Sequence, residues 1–406
     1  MKILFINGDC VQVNSSANLC HLAYLQGMVD AGYDIDLLSA EGSFYQKDSS
    51  MAIPDGVMRY SYSGFCLYER LSALKKGKTS STAVPGPTKN LRSGSGKRNG
   101  LKGRVKKALL SLYGIHGIYT PFLRRARRFR SSEEYDCVIS VSTPVSSHAL
   151  AYDLLKSGHV QGKKWVQIWE DPWYQDVYGT NGPKVYEEEK RLLSVAEKIC
   201  YVSPITLENQ KRLFPEAASK MFWQPLPSYY QSESRRAIPA PPVSYGYFGA
   251  YYPSARNLRP FYEAASKMGI QVKICGDPST LFSETESIQI FPRMSLEALR
   301  PYEEATDVLV FLCNRGGGQI PGKVYQYAAT DKTVLFILDG TEEEKKILRE
   351  FFESYHRFVF CENNVEDIAA AIERIQRSEL GDVVNRPLTE FDPVKIVNRI
   401  LEEGMK

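Results

Sequence analysis

The feature that most constrains this chain is a repeated pairing of a short apolar run with an amphipathic segment, in two series separated by a proline-rich stretch. Residues 2–8 (KILFING) form a continuous apolar run ending in turn formers, the pattern of a strand buried on both faces of a parallel sheet. A helix follows, with Ser16 as its expected cap and an apolar stripe of Leu19, Leu22, Ala23, Leu25 and Met28. Residues 34–40 (DIDLLSA) make the next strand, which completes a βαβ unit. The series resumes with a strand at 135–142, a helix from about Pro144 to Lys156, a strand at 163–171, a charged helix at 185–196, and strands at 198–204 and 221–227. Residues 231–243 (QSESRRAIPAPPV) lack periodicity and read as a linker. A second series starts at residues 244–250 (SYGYFGA) and includes strands at 271–277, 288–293, 307–314, 333–339 and 357–363, with helices predicted from about Arg256 and from Pro321.

Two such series predict an α/β chain with two Rossmann-like, doubly wound domains. The predicted boundaries are 1–230 for the N-terminal domain, 231–243 for the linker, 244–385 for the C-terminal domain and 386–406 for a terminal helical segment. A length of 406 residues with 43% apolar and 24% charged side chains suits two independent cores. Ligands of doubly wound sheets lie at the carboxyl ends of the strands, so two facing domains predict a cleft. No two of the eight cysteines are spaced as Cys-x-x-Cys, which excludes the common zinc and thiol-redox patterns and predicts buried thiols in a reducing cytoplasm. The N-terminal apolar run is broken at Asn7 and Asp9, unlike a secretory signal, and no stretch reaches the ~18 apolar residues of a membrane span.

Charge is distributed very unevenly. Between Arg70 and Arg130 there are 17 Lys or Arg and no Asp or Glu; the chain's net charge is +4, so the rest sums to −13. Within this 70–132 insertion, residues 75–100 are polar and rich in Ser, Gly and Pro, the composition of a mobile loop. Residues 105–130 alternate basic clusters with Leu, Ile, Tyr and Phe, the composition of a helix on an anionic membrane surface. The expectation is a cytoplasmic protein touching the membrane, or a lipid-linked anionic acceptor, through residues 75–130; a solvated basic face is the plainer alternative. Nucleic-acid binding lacks any accompanying motif.

The segment richest in chemistry is 307–337, where a strand ends at Asn314, a turn Arg315-Gly316-Gly317-Gly318 follows, and Gln319, Pro321, Gly322 and Lys323 lead into a helix. Glycines admit close backbone approach, and unpaired N–H groups at a helix start attract phosphate. A lysine in the first turn opposes the helix dipole, which an anionic ligand would offset. The order strand, glycine turn, Pro and Lys at a helix start, then IPGKVYQY and TVLFI, resembles the donor site of retaining GT-B glycosyltransferases similar to glycosyltransferase family 4. The resemblance extends loosely over most of the chain outside 70–132. It implies a GT-B pair of domains, with the terminal helix packing back toward the N-terminal domain. It implies that Gly249, Asn314, Gly318, Gln319, Pro321, Gly322 and Lys323 hold the diphosphate of a UDP- or GDP-sugar, with Arg256 as a second cation. Gln326 and Gly318 stand where the family usually has glutamates, and glutamine bonds a ribose hydroxyl without charge assistance.

On the N-terminal side, strand ends present Asn7, Gly8 and Asp9, then Ser142 and Thr143, then Glu170-Asp171-Pro172-Trp173. Carboxylates beside an aromatic face suit sugar hydroxyls. Asn7, Gly8, Ser16, Thr143, Glu170 and Trp173 are therefore the expected acceptor-binding residues, and Asp171 and Asp9 the catalytic-base candidates. No spacing of Asp or His calls for a metal, and no tightly bound cofactor is expected. The reading is sugar transfer to a glycan or lipid-linked acceptor in envelope polysaccharide synthesis. A degenerate nucleotide-sugar-binding scaffold and a GT-B epimerase are the alternatives.

Overall fold

The computed structural model describes residues 1–66, 113–176, 182–229 and 244–406. The sequence-predicted linker 231–243 and residues 70–112 of the basic insertion lie outside the described residues. The chain divides into two compact units. The first runs to Pro225 and also takes Pro393–Lys406, and the second takes Leu226–Asp392.

In the first unit the elements are β1 (Lys2–Asn7), α1 (Ser16–Asp30), β2 (Asp34–Glu41), β3 (Met58–Ser63), a short 3-10 turn (Gly117–Tyr119), α2 (Thr120–Ala126), β4 (Glu134–Ser142), α3 (Ser146–Lys156), β5 (Gln161–Trp169), α4 (Pro183–Val195), β6 (Lys198–Tyr201), α5 (Pro204–Leu213) and β7 (Met221–Trp223). The strands pair in parallel in the order β3-β2-β1-β4-β5-β6-β7. The order reverses between β1 and β4, where a doubly wound sheet opens its binding crevice. Strand β3 escaped the sequence reading because it is an exposed edge with little apolar content, MRYSYS. Helix α1 is capped by Ser15, whose side chain accepts from the Asn18 N–H at 3.1 Å, and not by Ser16 as expected. One capping oxygen suffices there, and the preceding residue has the extended backbone a cap needs.

The second unit contains β8 (Ser244–Phe248), α6 (Arg259–Met268), β9 (Gln271–Cys275), β10 (Ile288–Phe291), α7 (Leu296–Glu304), β11 (Val308–Leu312), α8 (Lys323–Ala328), β12 (Thr333–Leu338), α9 (Glu342–Glu353), β13 (Phe358–Glu362) and α10 (Val365–Gln376). Its parallel sheet runs β10-β9-β8-β11-β12-β13, so the reversal lies between β8 and β11. Every residue of β11 and β12 is buried, as their unbroken apolar runs require. The last helix, α11 (Pro393–Gly404), returns to the first unit and packs on α1. Gly27 permits that approach, since a Cβ there would sit 2.4 Å from the Pro393 carbonyl oxygen.

In the described part of the basic insertion, four apolar side chains turn inward. Phe122, Leu123, Ala126 and Phe129 are buried in the core of the first unit, with Tyr135, Leu150 and Trp165 in the same cluster. These four of the apolar side chains read as membrane-facing thus have a protein partner, whereas Ile115 is exposed. Arg125 donates to the carbonyls of Ser63 and Phe65, and Arg127 pairs with Asp153 at 2.6 Å. Among the described residues no helix is long and apolar enough to cross a membrane. All eight cysteines are unpaired and buried.

Candidate functional site

The second unit's site is built around Asn314, two residues beyond β11. Its Oδ1 accepts from Arg256 Nε at 2.7 Å, and its Nδ2 donates to the Gln319 carbonyl at 2.9 Å. One amide therefore ties Arg256 to both ends of the glycine turn. Gly317 and Gly318 have φ of 89° and 74°, the left-handed region that favours glycine, which explains two of the three glycines. Arg315 secures the turn from outside, donating from its backbone to the Ala255 carbonyl at 2.8 Å and from its side chain to the Pro253 carbonyl at 3.1 Å. Nearby, the loops after β8 and β9 touch backbone to backbone. A Cβ on Gly276 would lie 1.9 Å from the Gly249 carbonyl oxygen.

Three expectations change here. Helix α8 begins at Lys323, so Pro321 and Gly322 form its lead-in, and it is only six residues long. A dipole that short contributes less than the sequence suggested, and the turn's backbone and the cations must do more. Lys323 lies within its first turn as predicted, yet its charge is already met. Nζ sits 2.6 Å from Glu303 Oε1 at the end of α7, and 5.6 Å from the Tyr327 ring centre. Gln326 is buried and committed to backbone, accepting from the Tyr229 N–H and donating to the Pro227 carbonyl. That commitment explains glutamine in place of glutamate: the site needs both a donor and an acceptor, and a carboxylate supplies only acceptors.

In the first unit, Asn7 ends β1 and Gly8 and Asp9 follow it, Thr143 follows β4, and Glu170 and Asp171 follow β5, all on the carboxyl side of the sheet. The structure adds His21, which the sequence reading missed. It is fully buried in α1, with Nδ1 2.8 Å from Asn7 Nδ2 and Nε2 3.3 Å from Glu170 Oε1. The Asp9 N–H donates to Asn7 Oδ1 at 2.9 Å, which turns the Asn7 amide so that its NH2 donates to His21 Nδ1. The other ring nitrogen, Nε2, faces Glu170. His21 was hidden in the sequence because it follows Cys20 within an ordinary helical stripe.

These carboxylates are perturbed. Burial raises Asp9 to about 6, against the pull of the Cys10 N–H and His21. Burial also raises Glu170, while His21 and the Thr143 N–H pull it down. Gly8 leaves no room for a side chain: a Cβ would meet Ser146 Oγ at 2.5 Å, and its N–H donates to Ser147 Oγ at 2.8 Å. Trp173 is half-buried and stacks on His116 with ring centres 5.4 Å apart. Its backbone and that of Tyr174 donate to the two oxygens of the fully buried Glu189. Ser16 is exposed at the start of α1, apart from these bonds. Among the described residues no group of three or more His, Cys, Asp or Glu is placed to hold a metal ion.

No family model matches this chain, and no curated protein matches it in sequence. Solved structures match it over its whole length. TarM superposes with a TM-score of 0.60 at 8% identity, covering 99% of this chain and 97% of that one. The chain has the fold of the GT-B glycosyltransferases. AviGT4, a glycosyltransferase involved in avilamycin A biosynthesis, gives 0.52 at 11% identity, covering 99% and 96%. A glycosyltransferase from Rickettsia africae ESF-5 gives 0.51 at 12%, covering 99% and 98%. At such identities the likeness is one of fold.

Proposed function

We propose that this protein is a glycosyltransferase that moves a sugar from a UDP- or GDP-sugar to a glycan or lipid-linked acceptor in envelope polysaccharide synthesis. The observation that carries the reading is the Asn314 clamp. It fixes a guanidinium beside a glycine turn in the left-handed region, and that turn leads directly to Lys323. Backbone N–H groups with two cations form a site for a diphosphate, and stabilising the departing diphosphate is the largest electrostatic task in sugar transfer.

In this reading Gly249, Arg256, Asn314, Gly318, Gln319, Pro321, Gly322 and Lys323 form the donor site, and Gln326 shapes it without touching the ribose. Asn7, Gly8, Thr143, Glu170 and Trp173, with His21 behind them, form the acceptor site. We take the outcome to be retaining, with the donor phosphate assisting the acceptor hydroxyl. Asp9 is one base candidate, and its burial makes it a stronger base than an ordinary carboxylate. Asp171, half-buried and following β5, is the other.

The test is a thermal-shift and calorimetric screen of the purified protein against nucleoside diphosphates and their sugars, with Lys323→Ala alongside. One base class should stabilise the wild type, with loss in the variant. Stabilisation by none would overturn the reading. The glutamate-less positions 318 and 326 favour one competitor, a scaffold that binds nucleotide-sugar without turnover, and the anomeric signal of a product by NMR separates the two.

A further inference from the structure

Two charged side chains in the second unit face each other where the donor reading needs only one. Lys323 Nζ and Glu303 Oε1 are 2.6 Å apart, and their side chains are 26% and 14% exposed. The carboxylate comes from the last turn of α7, and the lysine from the first turn of α8. A charge-assisted hydrogen bond of this length is strong, and partial burial shields it from salt. A lone structural ion pair needs no glycine turn beside it. A phosphate site needs no carboxylate.

Together they make sense through the change of charge during turnover. Sugar transfer breaks the bond between the anomeric carbon and the β-phosphate oxygen. The oxygen keeps the electron pair, the acceptor oxygen forms the new bond to the sugar, and the acceptor's proton is released. The nucleoside diphosphate that leaves therefore bears one more negative charge, on its terminal phosphate, than the diphosphate of the intact donor.

Resting on the donor reading above, we propose that Glu303 is a specificity residue that sets the site to prefer the intact nucleotide-sugar over the free nucleoside diphosphate. A fixed carboxylate beside Lys323 takes part of the lysine's charge. It opposes the more highly charged product more than the substrate, and so speeds product release. Lys323 can engage the diphosphate by sharing its three donors, whereas Glu303 has only acceptors to offer a phosphate.

The experiment is calorimetric titration of the full chain with the nucleoside diphosphate and with its sugar, for wild type, Glu303→Gln, Glu304→Gln and Lys323→Ala. Glu304→Gln removes the same charge from the neighbouring, largely exposed position, where the carboxylate lies 3.7 Å from Arg300. The expected result is tighter binding of the free diphosphate by about tenfold in Glu303→Gln, with the sugar nucleotide gaining about threefold or less, and no change in Glu304→Gln. Product inhibition should strengthen in parallel. Equal gains for both ligands, or no gain in a folded Glu303→Gln protein, overturn the proposal while leaving the donor site intact. Weaker binding of the sugar nucleotide alone shows Glu303 bonding the sugar, and also overturns it. Undiminished binding by Lys323→Ala overturns the donor reading and the proposal together. Glu303→Ala serves as the second variant, with its thermal unfolding midpoint checked against wild type.

Discussion

Glu189 offers the sharpest test of the acceptor-side architecture, because its effect on stability depends on pH with a defined sign. The residue lies in α4, is fully buried, and accepts from the backbone of Trp173 and Tyr174, one N–H to each carboxylate oxygen. Burial raises it from 4.5 to about 7, more than these two bonds can pull it down. The folded protein therefore holds this proton more tightly than the unfolded chain does. The stability it contributes is complete below 4.5 and is lost as pH rises through about 7. Between those limits the loss amounts to about 3 kcal/mol for this group. Glu189→Gln does not titrate, and it keeps one acceptor oxygen while setting an NH2 against the other backbone donor. Urea unfolding of both proteins from about pH 4 to about pH 8 should show wild type losing about 3 kcal/mol relative to the variant, most of it between pH 5 and pH 7. The variant should also bind acceptor more weakly at every pH, since the Trp173 loop loses one of its two anchors. Parallel stability curves for the two proteins would refute the reasoning, because a carboxylate that ionises without penalty is not desolvated as the structure shows.

Gly276→Ala should lower stability by about 2 kcal/mol or more, read by thermal unfolding, because the clash is with the Gly249 backbone oxygen and no side chain can yield. Arg256→Lys should weaken nucleotide binding by about tenfold, since lysine cannot reproduce the Nε bond to Asn314 while presenting a planar cation. His21→Phe should leave nucleotide binding unchanged and reduce transfer, with the pH profile of the rate altered; an unchanged profile would show His21 to be packing alone. Asp9→Asn should raise stability near pH 8 and leave it unchanged near pH 4, because burial disfavours the charged carboxylate above about 6.

The sequence determined the fold through its periodicities. Buried parallel strands must be apolar on both faces, so runs such as 307–314 and 333–339 declared themselves, and Pro and Gly marked the joints between them. The glycine turn was legible for a similar reason, since a left-handed backbone at Gly317 and Gly318 favours glycine. The edge strand Met58–Ser63 was not, because its only buried contacts are the partial ones of Tyr60 and Tyr62. Pairings across the chain were also hidden. Glu303 and Lys323 are 20 residues apart, and His21 and Glu170 are 149 apart, so no local pattern links either pair. The sequence also presented Phe122, Leu123 and Phe129 as an apolar face among arginines, with a membrane as the obvious cover. Tertiary structure supplied the cover from the protein's own core. Local physics fixes which segments become strands and helices and which residues stand at strand ends. Which charges meet, and therefore which carboxylates ionise and which cations are already neutralised, depends on contacts that exist only once the sheets have formed.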